Sequence, residues 1–311
     1  LSLHDALPIC SLMINPTQQK HLDKLATLEA DIAVINLEDG IAPQKKEEAL
    51  FAAAEAVSKL YDSKAKIAIR TNPMDSPYFE KEIEVLNAIS PDAVRVPKIR
   101  SVEDVLRLEK LIDKDIEIHL SIETKEALSS LSRLKTSERV TTVFLGAIDL
   151  LEDLGLGSHL IDSFSETVKY IMCKFLVDAK TAGFTPFSFV YQNHSDMDGF
   201  KKWIEIEKNM GFEAKACISP KQVSVVNDIF SPAKEALEEA LRVKELYEQN
   251  EQNGIGGFCD DKLGFIDAPI YKNAINNLSK LKAKHYIKYT NRIRNAIFVF
   301  TFITFWHIII A

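Results

Sequence analysis

The cysteines of this chain lack partners in sequence: Cys10, Cys173, Cys217 and Cys259 are scattered, with no close paired spacing. That pattern disfavours a zinc knuckle or a disulfide framework and makes a reducing cytoplasm the expected location. Histidine and cysteine do not cluster in a way that points to zinc. Excess positive charge is also missing. The formal net charge is -7 and the pI is near 5.6, so nucleic acid is not an expected partner of the whole chain. Glycine-rich phosphate motifs are absent: Gly146, Gly155 and Gly157 in "GAIDLLEDLGLG" follow the sixth candidate strand and match neither GxGxxG nor a Walker pattern. The apolar run from Ala296 to Ala311 spans sixteen residues and contains Thr301, Thr304 and His307. A membrane helix needs roughly 20 apolar residues, so a membrane is not expected either.

What is present is ordinary for a globular protein of 311 residues, 46% hydrophobic and 27% charged. Four segments are expected. Residues 1–9 read like translated adapter sequence and not like a signal peptide. Residues 10–230 carry the main fold, and 231–280 carry C-terminal helices and a lid. Residues 281–311 form a basic, then apolar tail expected to be extraneous. Within the main fold, short apolar runs alternate with amphipathic ones, the signature of repeated βα units. Strands are expected at Ser11–Ile14, Ile32–Leu37, Ile67–Arg70, Ala93–Val96, Glu117–Ile122, Val140–Leu145, Pro186–Val190 and Ala214–Ile218. Helices are expected over Thr17–Leu28, Gln44–Leu60, Pro77–Ile89, Ser101–Leu111, Thr124–Leu134, Phe164–Ala182, Met197–Met210 and Ala233–Gln249, with a last one starting near Pro269. Eight strands with intervening helices fit an α/β fold, a (β/α)8 TIM barrel with a C-terminal helical extension. A doubly wound sheet is the alternative.

On such a barrel, chemistry gathers where strands feed the following loops. Strand two ends in Glu38 and Asp39, strand three in Arg70, strand four in Lys98 after Pro97, strand five in Glu123, and strand six runs into Asp149. Two carboxylates on neighbouring strand ends suit an oxygen-loving ion such as Mg2+, completed by water and substrate oxygens. Read singly, Glu123 is equally a helix N-terminal acid and Asp149 a cap or loop residue. A guanidinium at the end of a buried strand needs an anion. For Arg70 that anion is Glu38, Asp39 or a substrate carboxylate. Lys98 can form a Schiff base if desolvated, but the nearby acids favour an ion-pair or shaping role. His194 reads as a loop residue and Cys217 as packing.

The ordered motifs "SLMINP", "NLEDG..P", "IRTNPMDSP", "VPK", "IET", "GAIDL", "ACISPKQV" and "GFIDAP" resemble the HpcH/HpaI aldolase/citrate lyase family. The resemblance is strongest to its branch of citrate lyase beta subunits and malyl- or citramalyl-CoA lyases, and it covers roughly residues 10 to 280. It implies a Mg2+-dependent lyase that cleaves a 3-hydroxy acyl-thioester (a citryl-, malyl- or citramalyl ester of CoA or of an acyl-carrier protein) to an acetyl-thioester and an oxo acid. Glu123 and Asp149 match its metal ligands, Arg70 its substrate-holding arginine, Glu38 and Asp39 acids of the same pocket, and Lys98 its lysine. Asp267, in "IDAP", matches an acid delivered on a lid across a subunit boundary. The resemblance further implies a homo-oligomer, trimer or hexamer, that exchanges lids, and citrate lyase alpha and acyl-carrier subunits as partners if the citrate branch applies. Lys20, by position only, is a candidate for the thioester's phosphates. Two departures stand out: Cys10 where the family has an arginine, and Ser219 where it has the histidine of "IHPxQ". The first is expected to weaken anchoring of substrate or thioester. Alternatives are an aldolase of free 2-keto acids on the same barrel, and a non-catalytic barrel subunit of a lyase complex.

Overall fold

Eight short parallel strands, largely apolar on the face turned to the helices, close on one another. The computed structural model describes residues 10–22, 29–59, 65–230 and 234–278. The strands are β1 (Cys10–Ile14), β2 (Ile32–Asn36), β3 (Lys66–Arg70), β4 (Ala93–Val96), β5 (Glu117–Ile122), β6 (Val140–Leu145), β7 (Thr185–Phe187) and β8 (Lys215–Cys217). Their order is β7-β6-β5-β4-β3-β2-β1-β8. A parallel bridge between Ser188 and Lys215 joins the two ends. There Ser188 N–H donates to the Ala214 carbonyl at 3.0 Å and Ala216 N–H to the Ser188 carbonyl at 3.3 Å. The result is the (β/α)8 barrel, with no edge strand left to pair elsewhere.

Helices α1 (Gln19–Leu22), α2 (Lys46–Lys59), α3 (Phe79–Ile89), α4 (Val102–Leu111), α5 (Lys125–Ser130), α6 (Ala147–Asp153), α7 (His159–Asp162), α8 (Glu166–Ala182), α9 (Met197–Met210) and α10 (Pro220–Phe230) fill the connections. Local chemistry sets their ends. Ser101 caps α4, and Asp104 completes a reciprocal capping box with it. Gly183 ends α8 and Gly211 ends α9, each in the left-handed conformation that terminates a helix most cheaply. The outward strand side chains and inward helix faces share one apolar layer, from Leu12, Ile35 and Ile69 through Phe175 to Trp203.

The structure corrects several expected bounds. The first helix starts at Gln19, and Thr17 instead donates from its hydroxyl to Asn15 Oδ1 at 2.8 Å; residues 23–28 of the expected span lie outside the described residues. The helix after β5 stops at Ser130 and tightens into a 3-10 turn, Leu131–Arg133. The helix expected from Phe164 begins at Glu166 instead. Helix α10 was not expected: its "SPKQ" start reads as a turn, although Pro220 stands at the first helical position, where its missing N–H costs nothing. The tail, residues 281–311, and residues 1–9 lie outside the described residues. Among the described residues no helix is long and apolar enough to cross a membrane.

A second compact unit follows residue 230. It contains α11 (Lys234–Gln252) and an antiparallel pair, β9 (Gly257–Asp260) and β10 (Gly264–Asp267), then a helix over 268–278. Ala240, Val243 and Tyr247 pack with Ile266, Ala274 and Leu278, and Tyr247 stacks on Tyr271 at 4.5 Å.

The barrel interior is polar to an unusual degree. Asn36, Arg70, Arg95, His119 and Thr142 are paired in succession across β2 to β6, so this row of side chains faces inward together. Towards the amino-terminal end, Glu117 accepts from Lys66 Nζ at 2.6 Å and from Thr141 Oγ1 at 3.0 Å, and lies 3.4 Å from His119 Nε2. Burial alone would raise the Glu117 carboxyl, but His119 and Lys66 outweigh it and hold it at about 2. Between β8 and α9, Lys215 and Glu207 form a fully buried pair at 2.5 Å, with Lys215 also donating to the Phe189 carbonyl at 3.0 Å.

Two stability outcomes follow from these charges. Lys215→Met leaves Glu207 buried and unpaired and is expected to cost about 3–5 kcal/mol, whereas Lys215→Met with Glu207→Leu recovers most of it; urea denaturation at pH 7 measures both. The folded pKa of Glu117 lies below its ordinary 4.5. Its contribution is therefore complete above about pH 4.5 and lost as pH falls towards 2. Glu117→Gln should lower the thermal midpoint at pH 7, and the gap to the parent should close in scans taken down through that window.

Candidate active site

The carboxyl ends of β2 to β6 converge on one mouth. Arg70, at the end of β3, donates from Nε to Asn36 Oδ1 at 2.9 Å and forms an ion pair through Nη2 with Glu38 Oε2. Asp39 stands 4.0 Å from the same nitrogen but is largely exposed. Of the partners open to Arg70, the structure joins it to Glu38. Glu38 is 3% exposed, and burial pushes its carboxyl up against the pull of Arg70. Its Oε1 lies 3.9 Å from Lys98 Nζ and has no hydrogen-bond partner.

Glu123 is 4% exposed. It accepts the Lys98 backbone N–H at 3.2 Å, and among the described residues no lysine or arginine side chain pairs with it within 4.0 Å. Burial first, and then the charge of Glu38, push its carboxyl up to about 7. Asp149, in the first turn of α6, is close enough that its charge adds to that rise. The helix after β5 is capped by Thr124, whose hydroxyl accepts from Ala127 N–H at 3.2 Å, so Glu123 is not needed as its cap. Lys98 holds φ at +55°, a left-handed conformation costly to a residue with a side chain. That turn aims its N–H at Glu123 and leaves its side chain half-exposed over Glu38.

Two features hold this geometry. Lys46 of α2 donates to the carbonyls of Leu37 and Glu38 at 2.7 and 2.8 Å and to Asn72 Oδ1 at 2.7 Å. Asn72 in turn donates its N–H to buried Glu82 at 2.8 Å. This clamps the loop that carries Glu38. At the other side, Gly146 passes so close to Glu123 that a Cβ there would lie 2.2 Å from Glu123 Cγ. Any side chain at that crossing would force Glu123 to move.

The structure scatters the remaining candidates. Lys20 is exposed on α1. Asp267 belongs to the C-terminal unit, where its Oδ1 accepts from Ile270 N–H at 3.1 Å and so caps the helix that follows. Cys10 is not at the mouth: it begins β1 at the opposite end of the barrel, and its N–H donates to Asp31 Oδ2 at 3.0 Å. A change there does not touch the strand ends, which corrects the expected loss of substrate anchoring. His194 is exposed in a turn. Cys217 is buried, and burial pushes its thiol up, which suits packing.

Sequence reasoning missed Arg95. It is 3% exposed, donates from Nε to Ser121 Oγ at 2.8 Å, and lies over the Phe144 ring at 3.9 Å. Burial, and then the like charge of Arg70, pull its guanidinium down to about 9. The signal was an arginine inside the four-residue strand "AVRV", at an inward position.

A parallel barrel with acids and an arginine massed at the carboxyl ends defines a (β/α)8 enzyme mouth. The profile of one family, "HpcH/HpaI aldolase/citrate lyase", matches residues 11–220, and the chain belongs to that family of carbon–carbon lyases. The chain is 27% identical over 267 residues to citrate lyase subunit beta of Haemophilus influenzae, covering 81% of this chain and 89% of that protein. It is likewise 27% identical over 297 residues to the mitochondrial citramalyl-CoA lyase of Mus musculus, covering 89% and 87%. Among solved structures, CitE of Mycobacterium tuberculosis, crystallised with magnesium, acetoacetate and coenzyme A, superposes with a TM-score of 0.72 at 21% identity, over 88% of this chain and 98% of that one.

The crossing at Gly146 makes a direct prediction. Gly146→Ala is expected to keep the circular dichroism of the parent and to lower kcat/KM about 10- to 100-fold by displacing Glu123. Unchanged turnover would mean that Glu123 does not need its observed position.

Proposed function

We propose that this chain is a Mg2+-dependent lyase that cleaves a 3-hydroxy acyl-thioester of the citryl, malyl or citramalyl type, carried on CoA or on an acyl-carrier protein. The observation that carries the reading is Glu123: a carboxylate buried at the barrel mouth with one backbone donor and, among the described residues, no cationic side chain within 4.0 Å. Such a group is stabilised as an anion when a cation joins it. Mg2+ commonly binds through one or two carboxylates and keeps water and substrate oxygens in its remaining positions. Glu123 and Asp149 fit that demand, and among the described residues no cluster of three or more His, Cys, Asp or Glu forms a closed metal cage. The named activities of the relatives, citrate lyase beta and citramalyl-CoA lyase, point to the same chemistry.

When bound, the ion supplies Lewis-acid polarisation of substrate oxygens. The chain's own residues do the rest. Arg70, held by Glu38 and Asn36, presents the remainder of its fork to a substrate carboxylate or carbonyl and stabilises charge that develops there. Cleavage removes the proton of the substrate hydroxyl. The bond between the carbinol carbon and the thioester α-carbon breaks, and its electron pair passes into the thioester enolate. Glu38 Oε1, buried and without a hydrogen-bond partner, is the acceptor we assign to that proton. Lys98 shapes Glu123 from its backbone and Glu38 from its side chain. We assign Asp267 the exchange of the proton at the enolate carbon, and Lys20 a place beside the phosphates of the thioester carrier. Oligomeric assembly with lid exchange, and citrate lyase alpha and carrier subunits in the citrate case, are part of the same proposal.

The test is acetyl-thioester release from citryl-, malyl- and citramalyl-CoA by the purified chain, with Mg2+ and with chelator. Chelation should abolish turnover, and Glu123→Gln or Asp149→Asn should each lower it more than about 100-fold in a folded protein. Turnover indifferent to metal removal would sink the reading.

A further inference from the structure

Arg95 is a buried charged group beside the mouth that the proposed mechanism leaves unused. It sits on an inward position of β4, in register with Arg70 on one side and His119 on the other. Its side chain climbs from that level: Nε donates to Ser121 Oγ, two residues below Glu123 on β5. The guanidinium therefore lies beneath the mouth, as a floor. Its ring contact, Phe144, stacks on Phe187 at 4.6 Å, so the group rests on a fixed aromatic base.

Its pairing is incomplete. Among the described residues no carboxylate comes within 4.0 Å of Arg95, and Nη1 is buried with no hydrogen-bond partner. The charges that reach it electrostatically are those of Arg70, Glu123 and Glu38, the residues of the mouth itself. A guanidinium so buried, with a like charge beside it, destabilises the empty barrel. Its planar fork is suited to receive two oxygens of a carboxylate at once. Arg70 already provides for one anionic group at the mouth, so a second buried fork fits a substrate with a second carboxylate.

We propose that Arg95 is a specificity-determining residue that receives the distal carboxylate of a dicarboxylic oxo acid, making the citryl-type thioester the preferred substrate over malyl and citramalyl types. The assignment rests on the lyase reading for the word "substrate". The acids themselves can be tested apart from catalysis. Cleavage of a citryl thioester gives oxaloacetate, with two carboxylates; a citramalyl thioester gives pyruvate, with one.

Calorimetric titration of the full chain with oxaloacetate and with pyruvate, both with Mg2+ present, measures the preference. The parent should bind oxaloacetate at least about tenfold more tightly, and Arg95→Met should erase that difference while leaving pyruvate affinity within about threefold. Arg95→Met should also keep or raise the thermal midpoint, because an incompletely paired buried charge is replaced by an apolar chain of similar length. Arg95→Lys, which keeps charge without the fork, should retain part of the preference. Equal affinities in the parent would overturn the assignment, as would a preference that survives Arg95→Met. Parallel loss of both acids with a lowered midpoint would assign Arg95 to structure instead. Thioester assays separate the two proposals. Oxaloacetate selectivity without cleavage of any thioester removes the lyase reading and leaves Arg95 in place. Cleavage without selectivity does the reverse.

Discussion

Two carboxylates buried within one barrel mouth are the constraint on which the surrounding structure depends. Burial raises the carboxyls of both Glu38 and Glu123, and the charge of Glu38 raises Glu123 further, so neither is stable as an anion unless something nearby answers it. Arg70 answers Glu38 directly. Glu123 receives a backbone N–H and a long-range field from Arg70 and Arg95. That leaves Glu123 short of positive charge, and the neighbouring backbone is tightly specified around it. Lys98 is turned into a left-handed conformation to deliver its N–H, and Gly146 is stripped of a side chain to let the carboxylate lie where it does.

Strand placement was almost wholly legible in the sequence, because parallel strands covered on both faces read as short continuous apolar runs. The expected β4, β5 and β6 coincide with the observed ones, and the others differ at their ends. Helix α10 was hidden because a serine–proline start serves a turn and a helix N-terminus equally well. The β9–β10 pair was hidden for another reason: its strands have four residues each and alternate only partly in burial.

The residues of the candidate site were legible at its rim and not at its floor. Glu38, Arg70, Lys98, Glu123 and Asp149 lie where apolar runs stop, and reading strand ends found them. Arg95 and His119 lie within strands, and an attention to ends passes over them. Period-two alternation would have placed both inward: in "AVRV" the arginine shares a face with Ala93, and in "EIHLSI" the histidine shares one with Ser121. What no reading of spacing could supply is that Arg70 chooses Glu38 over exposed Asp39, since that depends on how far each loop carries its acid into the barrel.

A polar interior of this kind is a poor way to stabilise a barrel. Apolar layers of the same volume would be as stable or more so, and part of this interior is already apolar, with Phe144, Phe187, Ile32 and Val34 in one cluster. Towards the carboxyl ends, Asn36, Arg70, Arg95 and Glu123 stand at inward positions where aliphatic side chains would serve packing. Among the described residues Arg95 and Glu123 have no oppositely charged side chain within 4.0 Å, unlike Glu117 and Lys66 below them, and stability alone does not call for that. Such an incompletely paired inward charge lowers the stability of the ligand-free barrel, a cost that an ion or an acid joining it would offset. By that logic the outer shell must hold the barrel without help from the inner one. The dense apolar layer between strands and helices, with its buried Lys215–Glu207 pair fully enclosed, is placed to do so.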